Sequence, residues 1–333
     1  MILVTGGTGL AGSHLLYLLV KNGEKIRALY RDTHTLEAVK KVFASYTGGA
    51  ASLFNAIEWY KADLNDLSSL TGAFTGITHV YHCAALVSFD ESDAGLLRKV
   101  NIEGTVNIVN LCLAHRVQKL GYISSVAALE DQYSPELITE EAYWNASTRK
   151  SSYAITKYGA EMEVWRGAQE GLPVVIVNPG LILGWSFRSS SSEKLFTAVK
   201  NKLTYYPTGV TGFVGVKDVA KAIMQLMKSP LINKRYILVA ENRSYKEVLG
   251  CIAESLGVSP PKKAIKPWML PFLWRLDWLR SQLTGKSRWL TKYTAQAVSQ
   301  IHRYSNKRIK QDLNFEFTPL SESIKHTGSR ITL

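Results

Sequence analysis

A doubly wound α/β fold, a mostly parallel sheet covered by helices on both faces, is what this chain of 333 residues predicts. Two observations carry the prediction. Up to about residue 180, short apolar runs alternate with amphipathic stretches, the rhythm of βα units whose strands are buried on both sides. The first apolar run also ends in a glycine-rich turn that opens directly into an amphipathic stretch.

Strands are expected at Ile2–Thr5, Lys25–Leu29, Ile57–Lys61, His79–Cys83, Lys119–Ser124 and Val174–Val177. Helices are expected between them at Gly9–Asn22, Leu36–Ala44, Leu67–Phe74, Leu97–Ala114 and Tyr153–Gln169. Right-handed crossovers then place a ligand in the crevice at the C-terminal ends of the strands. After Pro179 the rhythm breaks. Ser186–Ser192 is polar and loop-like, Leu195–Lys202 looks helical, and Phe213–Val216, Val219–Met227 and Tyr236–Val239 read as strand, helix and strand. The division that follows is a dinucleotide-binding domain over 1–180 and 213–240, its last part returning to the main sheet. A smaller, mostly helical substrate-binding region then covers 181–212 and 241–333.

Composition narrows the class. Forty Lys and Arg against 27 Asp and Glu give a formal charge of +13, which favours anionic ligands. The basic residues are dispersed, and neither zinc-finger spacing nor an aromatic RNA-binding motif accompanies them, so nucleic acid is not an expected partner. Cys83, Cys112 and Cys251 form no CxxC pair and leave one over if two were bridged, which argues against a disulfide framework or a zinc site. No apolar run reaches the ~18 residues of a membrane span. The first strand starts at Ile2, leaving no room for an export signal, and a cytoplasmic location is the expectation. Trp268, Trp274, Trp278 and Trp289 stand among Leu, Met and Phe between Pro267 and Tyr293. A helix pair packing its aromatic face on the core is the plain reading, with a substrate lid or a membrane-touching surface as the other.

The run Thr5-Gly6-Gly7-Thr8-Gly9-Leu10-Ala11-Gly12 has the form of a dinucleotide-binding turn. Gly6 permits a tight turn, Gly9 lets the backbone approach a pyrophosphate, and Gly12 lets the helix pack closely on the sheet, as in a Rossmann fold. A purely structural turn is the alternative, but three glycines weaken a helix start to no other benefit. The second strand ends Ala28-Leu29-Tyr30-Arg31-Asp32, with Tyr30 where an NAD-selective site places a carboxylate. Arg31 can accept a 2′-phosphate, which favours NADP(H); Asp32, one step on, keeps NAD(H) open. Asp63 and Leu64 after the third strand either cover the adenine or begin a helix, Asp63 as its cap.

Tyr153 and Lys157 are four apart and so share a helix face. A phenol has an ordinary pKa of about 10, and a neighbouring ammonium is expected to lower it toward a working acid–base range. Ser125, just past the fifth strand, is placed to hydrogen-bond a substrate oxygen where charge develops. A YxxxK pair alone arises often by chance; following a Ser-Ser strand end and a glycine turn, it reads as a site.

With those residues in place the chain resembles the extended short-chain dehydrogenase/reductases, the NAD(P)-dependent epimerase/dehydratase family. The likeness runs in order through TGGTGLAG, HCAA at 82–85, VNIEGT at 100–105, ISS at 123–125, YAITK at 153–157 and NPGLILG at 178–184. It implies Ser125, Tyr153 and Lys157 as a catalytic triad, Lys157 also holding the nicotinamide ribose. Ala84 and Ala85 would line the cofactor cleft, and Pro179 to Ile182 would flank the nicotinamide. Asn101 would brace the site or relay a proton, against a helix cap or buried hydrogen bond as its plain role. A homodimer through the long helices near 97–114 and 153–169 is also implied.

Within the family, nucleotide-sugar epimerases and dehydratases typically read RDYIHVxD where this chain reads Thr211-Gly212-Phe213-Val214-Gly215-Val216-Lys217-Asp218, so the arginine that holds the sugar-nucleotide diphosphate is missing. Tyr30-Arg31-Asp32, Val177-Asn178-Pro179 and Gly212-Phe213-Val214 look more like dihydroflavonol reductase and 3β-hydroxysteroid dehydrogenase relatives, which act on apolar alcohols, ketones or aldehydes. Candidate substrate walls are Leu86, Val87, Phe89, Trp185, Tyr205 and Tyr206, each with core packing as its alternative role. The expected activity is hydride transfer between NADP(H) and a small, apolar carbonyl or alcohol. Two alternatives stay open: a nucleotide-sugar epimerase or dehydratase with bound NAD, and a silent NADP(H) sensor or scaffold.

Overall fold

The computed structural model describes residues 1–46, 50–129, 137–145, 147, 150–186, 191–284 and 291–331. Trp289 and residues 187–190 of the expected polar loop lie outside them. In chain order the strands are β1 (Ile2–Thr5), β2 (Ile26–Tyr30), β3 (Glu58–Lys61), β4 (His79–His82), β5 (Lys119–Ile123), β6 (Val174–Pro179), β7 (Leu181–Leu183), β8 (Tyr205–Tyr206), β9 (Val210–Gly215), β10 (Lys234–Leu238), β11 (Glu241–Ser244) and β12 (Lys263–Ala264).

Seven of these form one parallel sheet in the order β10-β6-β5-β4-β1-β2-β3. Its strands are apolar on both faces, and successive residues feed opposite cores. Leu3 and Ile176 pack on one side with Leu120, Ile108 and Val164; Val4 and Val177 pack on the other with Leu16, Ile223 and Leu226. The chain runs outward from β1 through β2 to β3, then returns to start again at β4 on the other side of β1. The ends of β1 and β4 therefore flank the switch point, where two loops diverge and leave a crevice.

Three helices define the neighbourhood of that crevice. Leu10–Lys21 follows β1 directly, with Gly9 as an N-cap that makes no side-chain hydrogen bond. Ser152–Gln169 begins on a Ser151 cap whose hydroxyl accepts from the Ala154 amide. The expected helix over 97–114 is interrupted: Arg98–Glu103 is a π-helical turn between the α-helices Ala94–Leu97 and Gly104–Ala114. Such turns carry an extra residue and re-aim a side chain; here the turn holds Asn101.

The strand expected at Phe213–Val216 does not return to the main sheet. It is β9, the middle of a separate three-stranded sheet, antiparallel to β11 and parallel to β7. Its Phe213 packs with Leu183, Phe196, Val248, Ile252 and Leu320 in a core of their own. The strand after the next helix does rejoin, as β10 beside β6. The Trp-rich stretch also departs from its plain reading. The helix Leu270–Thr284 turns Phe272, Leu276, Leu279 and Leu283 outward and buries Asp277 instead. Among the described residues no helix is long and apolar enough to cross a membrane, and no group of His, Cys, Asp or Glu is arranged to hold a metal.

Candidate active site

The turn after β1 is held in a shape only glycine allows. Gly6 has φ +66°, and a Cβ there would meet the Ala84 backbone nitrogen at 2.5 Å. Its carbonyl accepts from the Gly9 amide at 2.9 Å, and a Cβ on Gly12 would overlap that same carbonyl. On Gly9 the only near neighbour of a Cβ would be the Gly6 oxygen at 3.3 Å, so the other side of Gly9 is open. The helix start it caps has no side-chain cap and no acid in its first turn, leaving N–H donors for an anion. A dinucleotide pyrophosphate fits these residues.

Thr5, the last residue of β1, anchors the turn to β4. Its hydroxyl lies 2.6 Å from His82 Nδ1 and accepts from the Ala84 amide at 3.3 Å. His82 Nε2 meets the Thr105 hydroxyl at 3.0 Å, and that hydroxyl donates to the Asn101 carbonyl at 2.5 Å. Burial pushes the His82 imidazole down to about 3, with the Lys157 charge adding to the effect. It is neutral at ordinary pH. Ala84 is half-buried beside the glycine turn, whereas Ala85 is exposed.

At the far edge of the crevice, Arg31 at the end of β2 faces Asp63 after β3 at 3.7 Å, both largely exposed. Asp63 is not a helix cap: it accepts from the Asn65 amide at 2.9 Å, and Asp66 caps the helix Leu67–Ala73. Leu64 is buried against Gly104, and its carbonyl accepts from Asn107 at 2.8 Å.

One strand over from β4 lie Ser125, just past β5, and Tyr153 and Lys157, on the helix Ser152–Gln169. Ser125 Oγ accepts from the Ala127 amide at 3.1 Å and neighbours the Tyr153 phenol closely enough to oppose the rise in its pKa. Lys157 Nζ donates to the Tyr122 hydroxyl at 2.8 Å and to the Ile123 carbonyl at 2.9 Å. Burial pushes the Lys157 ammonium down to about 7, against the opposing pull of Glu161. The expected lowering of the Tyr153 phenol is not what the structure gives. Burial raises it, Ser125 opposes the rise, and the Lys157 ammonium is directed to Tyr122 and Ile123.

A buried carboxylate lies behind this cluster. Glu161, one turn on from Lys157 and fully buried, accepts from Ser124 Oγ at 2.6 Å and Asn178 Nδ2 at 2.8 Å, and pairs with Arg235 at 3.1 Å. Asn178 Nδ2 also donates to the Ser125 carbonyl at 3.0 Å. His82, Tyr122, Glu161 and Arg235 were not singled out by motif reading. Glu161 had a signal in its spacing from Lys157; Arg235, on the distant β10, had none.

Asn101 is a brace. Its Oδ1 accepts from the Leu86 amide at 2.7 Å, and Nδ2 donates to the Leu86 carbonyl and Thr156 hydroxyl at 3.0 and 3.1 Å. The π-turn thus ties the loop after β4 to the helix bearing Tyr153 and Lys157. From that loop Phe89 sets its ring edge on Tyr153, centroids 5.4 Å apart, and Val87 is exposed nearby in sequence. Pro179 ends β6, and Ile182 lies on β7. Trp185 is half-buried, its carbonyl held by His14 Nε2 at 3.0 Å. Tyr205 and Tyr206 sit on β8 against β12, each under a lysine, Lys263 and Lys246.

A glycine turn at the switch point that a pyrophosphate fits, with Ser125, Tyr153 and Lys157 one strand away, suits the class of NAD(P)-dependent oxidoreductases. Residues 2–238 match the model of the NAD dependent epimerase/dehydratase family, and the chain belongs to that family, among its extended short-chain dehydrogenase/reductases. It is 29% identical over 328 residues to a putative dihydroflavonol 4-reductase of Synechocystis sp., covering 96% of this chain and 91% of that protein. It is 26% identical over 337 residues to cinnamoyl-CoA reductase 1 of Petunia hybrida, covering 98% and 90%. Among solved structures, that of gox2253 superposes with a TM-score of 0.80 at 26% identity, covering 99% of this chain and 97% of the other.

Proposed function

We propose that this enzyme transfers hydride between NADP(H) and the carbonyl or alcohol of a small apolar substrate, with Tyr153 as the acid and base. The observation that carries the reading is the Tyr153 phenol, set beside Ser125 and walled on one side by the Phe89 ring. A polar proton source against an apolar wall suits a carbonyl on a lipophilic frame.

Bound at the glycine turn, the dinucleotide supplies or accepts the hydride. The amides at the start of the helix Leu10–Lys21 would hold its pyrophosphate, and Lys157, with an N–H beyond its two protein acceptors, its ribose. Arg31 would hold the 2′-phosphate. Its ion pair with Asp63 is long and exposed, so little is lost when the guanidinium turns to a stronger anion. In reduction Tyr153 gives its proton to the substrate oxygen while Ser125 hydrogen-bonds the same oxygen. In oxidation Tyr153 takes the proton back. The raised phenol favours the protonated, donating form at rest, which suits the reductive direction. Both relatives above are named as reductases.

Nucleotide sugars are disfavoured because Thr211, on β9, stands where an arginine would hold a sugar-nucleotide diphosphate.

The test is NADPH consumption over a panel of apolar aldehydes and ketones, with UDP-sugars as the competing class read by product analysis, since their epimerisation or dehydration consumes no net NADPH. Turnover of the carbonyls, with NADPH bound about tenfold or more tighter than NADH and that margin lost in Arg31→Ala, is expected. Turnover of UDP-sugars alone overturns the reading. Tight NADPH binding with no turnover of either class favours a sensor.

A further inference from the structure

The helix Leu270–Thr284 is built inside out. Its inward face holds Asp277, only 2% exposed and paired with Arg280 at 2.8 Å. Its outward face holds Phe272, Leu276, Leu279 and Leu283, which are 64, 63, 47 and 78% exposed. Steps of four, three and four residues put these side chains in one stripe. Trp268 extends the stripe by a turn, 65% exposed, edge-to-face with Phe272 at 6.4 Å between ring centroids. Single exposed apolar residues need no explanation, but a contiguous stripe of large ones marks a docking surface.

Charge identifies the occupant. Between Lys262 and Thr284 the chain carries Lys262, Lys263, Lys266, Arg275 and Arg280 against one acid, Asp277, which is buried and paired with the half-exposed Arg280. The three lysines are exposed, and helical geometry sets Arg275 and Arg280 on opposite flanks of the stripe. A second copy of this face would bring the same positive charges opposite themselves. A surface that is apolar beneath and anionic above matches it instead. We propose that this helix lies in the interface of a bilayer rich in anionic headgroups, Trp268, Phe272 and the leucines in the acyl boundary and the basic residues at the headgroups. The chain is then a peripheral membrane protein, docked by its C-terminal region.

The experiment is co-sedimentation of the full chain with vesicles of phosphatidylglycerol and phosphatidylcholine, compared with phosphatidylcholine alone. Binding to the anionic vesicles, weakened by salt, is expected. Leu276→Asp with Leu279→Asp should weaken partition at least about tenfold, since both insertion contacts are replaced by charges that repel the surface. Each of Lys262→Ala, Lys263→Ala and Lys266→Ala should weaken it by about fivefold. Absence of binding to anionic vesicles, or equal binding by the double variant, overturns the proposal. So does a dimer in sedimentation velocity that the double variant dissociates while vesicles bind neither form. If the double variant fails to fold, brominated lipid decides. It should quench tryptophan emission less in Trp268→Phe than in the parent, and equal quenching contradicts insertion.

Discussion

Lys157 donates from its ammonium to the Tyr122 hydroxyl at 2.8 Å, and Tyr122 in turn lies under His82, the rings near parallel at 5.4 Å. The lysine is thereby aimed by β5 rather than by the tyrosine on its own helix. Buried and brought down to about 7, it is an ammonium below that pH and an amine above it in the free protein. A bound anion favours the ammonium, so affinity for the dinucleotide should weaken several-fold as pH rises from about 6 to about 8.5. Titration with NADH checks this, because it lacks the 2′-phosphate, which itself titrates near pH 6. Lys157→Met should bind weakly with no such slope; an unchanged slope would mean another group is responsible.

Gly9 and Gly12 should separate binding from folding. A Cβ on Gly12 overlaps the Gly6 carbonyl, so Gly12→Ala must displace the turn and should cost both stability and dinucleotide affinity. A Cβ on Gly9 meets only that oxygen at 3.3 Å, so Gly9→Ala should melt within a few degrees of the parent. It should still lose at least about tenfold in dinucleotide affinity, because the methyl fills the approach. Thermal melts with and without NADPH distinguish the two variants. Equal ligand-induced shifts in Gly9→Ala and parent would refute the cradle.

His82 makes the molecule acid-sensitive. Its imidazole goes from an ordinary 6.5 in the unfolded chain to about 3 in the fold, so the unfolded state takes up protons first as pH falls. The contribution is full above pH 6.5 and drains away as pH drops toward 3. His14, pushed down to about 4 by burial, acts in the same window. Denaturant unfolding should show stability falling by about 2 kcal/mol or more between pH 6.5 and 4.5, and His82→Gln should flatten that slope. A slope unaltered by His82→Gln would assign the sensitivity to His14 and the carboxylates.

Arg235 and Glu161 form a buried pair beneath Ser124 and Asn178. Arg235→Ala leaves the carboxylate buried without its counter-charge and should destabilise by about 3–5 kcal/mol. Arg235 also donates to the Glu140 and Ala142 carbonyls, so the segment 137–145 should lose its protection in hydrogen exchange at the same time. Wild-type protection there in Arg235→Ala would show that the segment is held by other contacts.

Legibility in the sequence followed locality. β1 and the glycine turn were readable because a strand, three glycines and a helix start are adjacent in the chain. The helix bearing Tyr153 and Lys157 is readable for the same reason, from the spacing of the two residues. What could not be read depends on where distant segments meet. Phe213–Val216 has the apolar pattern of a buried strand, and pattern alone does not say which sheet receives it; packing against Phe196 and Leu320 decided that. Spacing alone places a lysine one turn from Tyr153 and suggests a lowered phenol, whereas Tyr122 and the Ile123 carbonyl, from another strand, claim the ammonium and burial raises the phenol. Leu276 and Leu283 read as core by type, and only the position of Asp277 reveals that their helix is turned outward.

Replacement of Tyr153 by phenylalanine tests the central claim most directly. The ring and its edge contact with Phe89 remain, and only the hydroxyl beside Ser125 is removed. Steady-state NADPH oxidation with a turned-over carbonyl should fall by at least about 10²-fold, the scale of general acid catalysis, while the dissociation constant for NADPH changes by less than about twofold. Turnover equal to that of the parent enzyme would contradict Tyr153 as the proton donor.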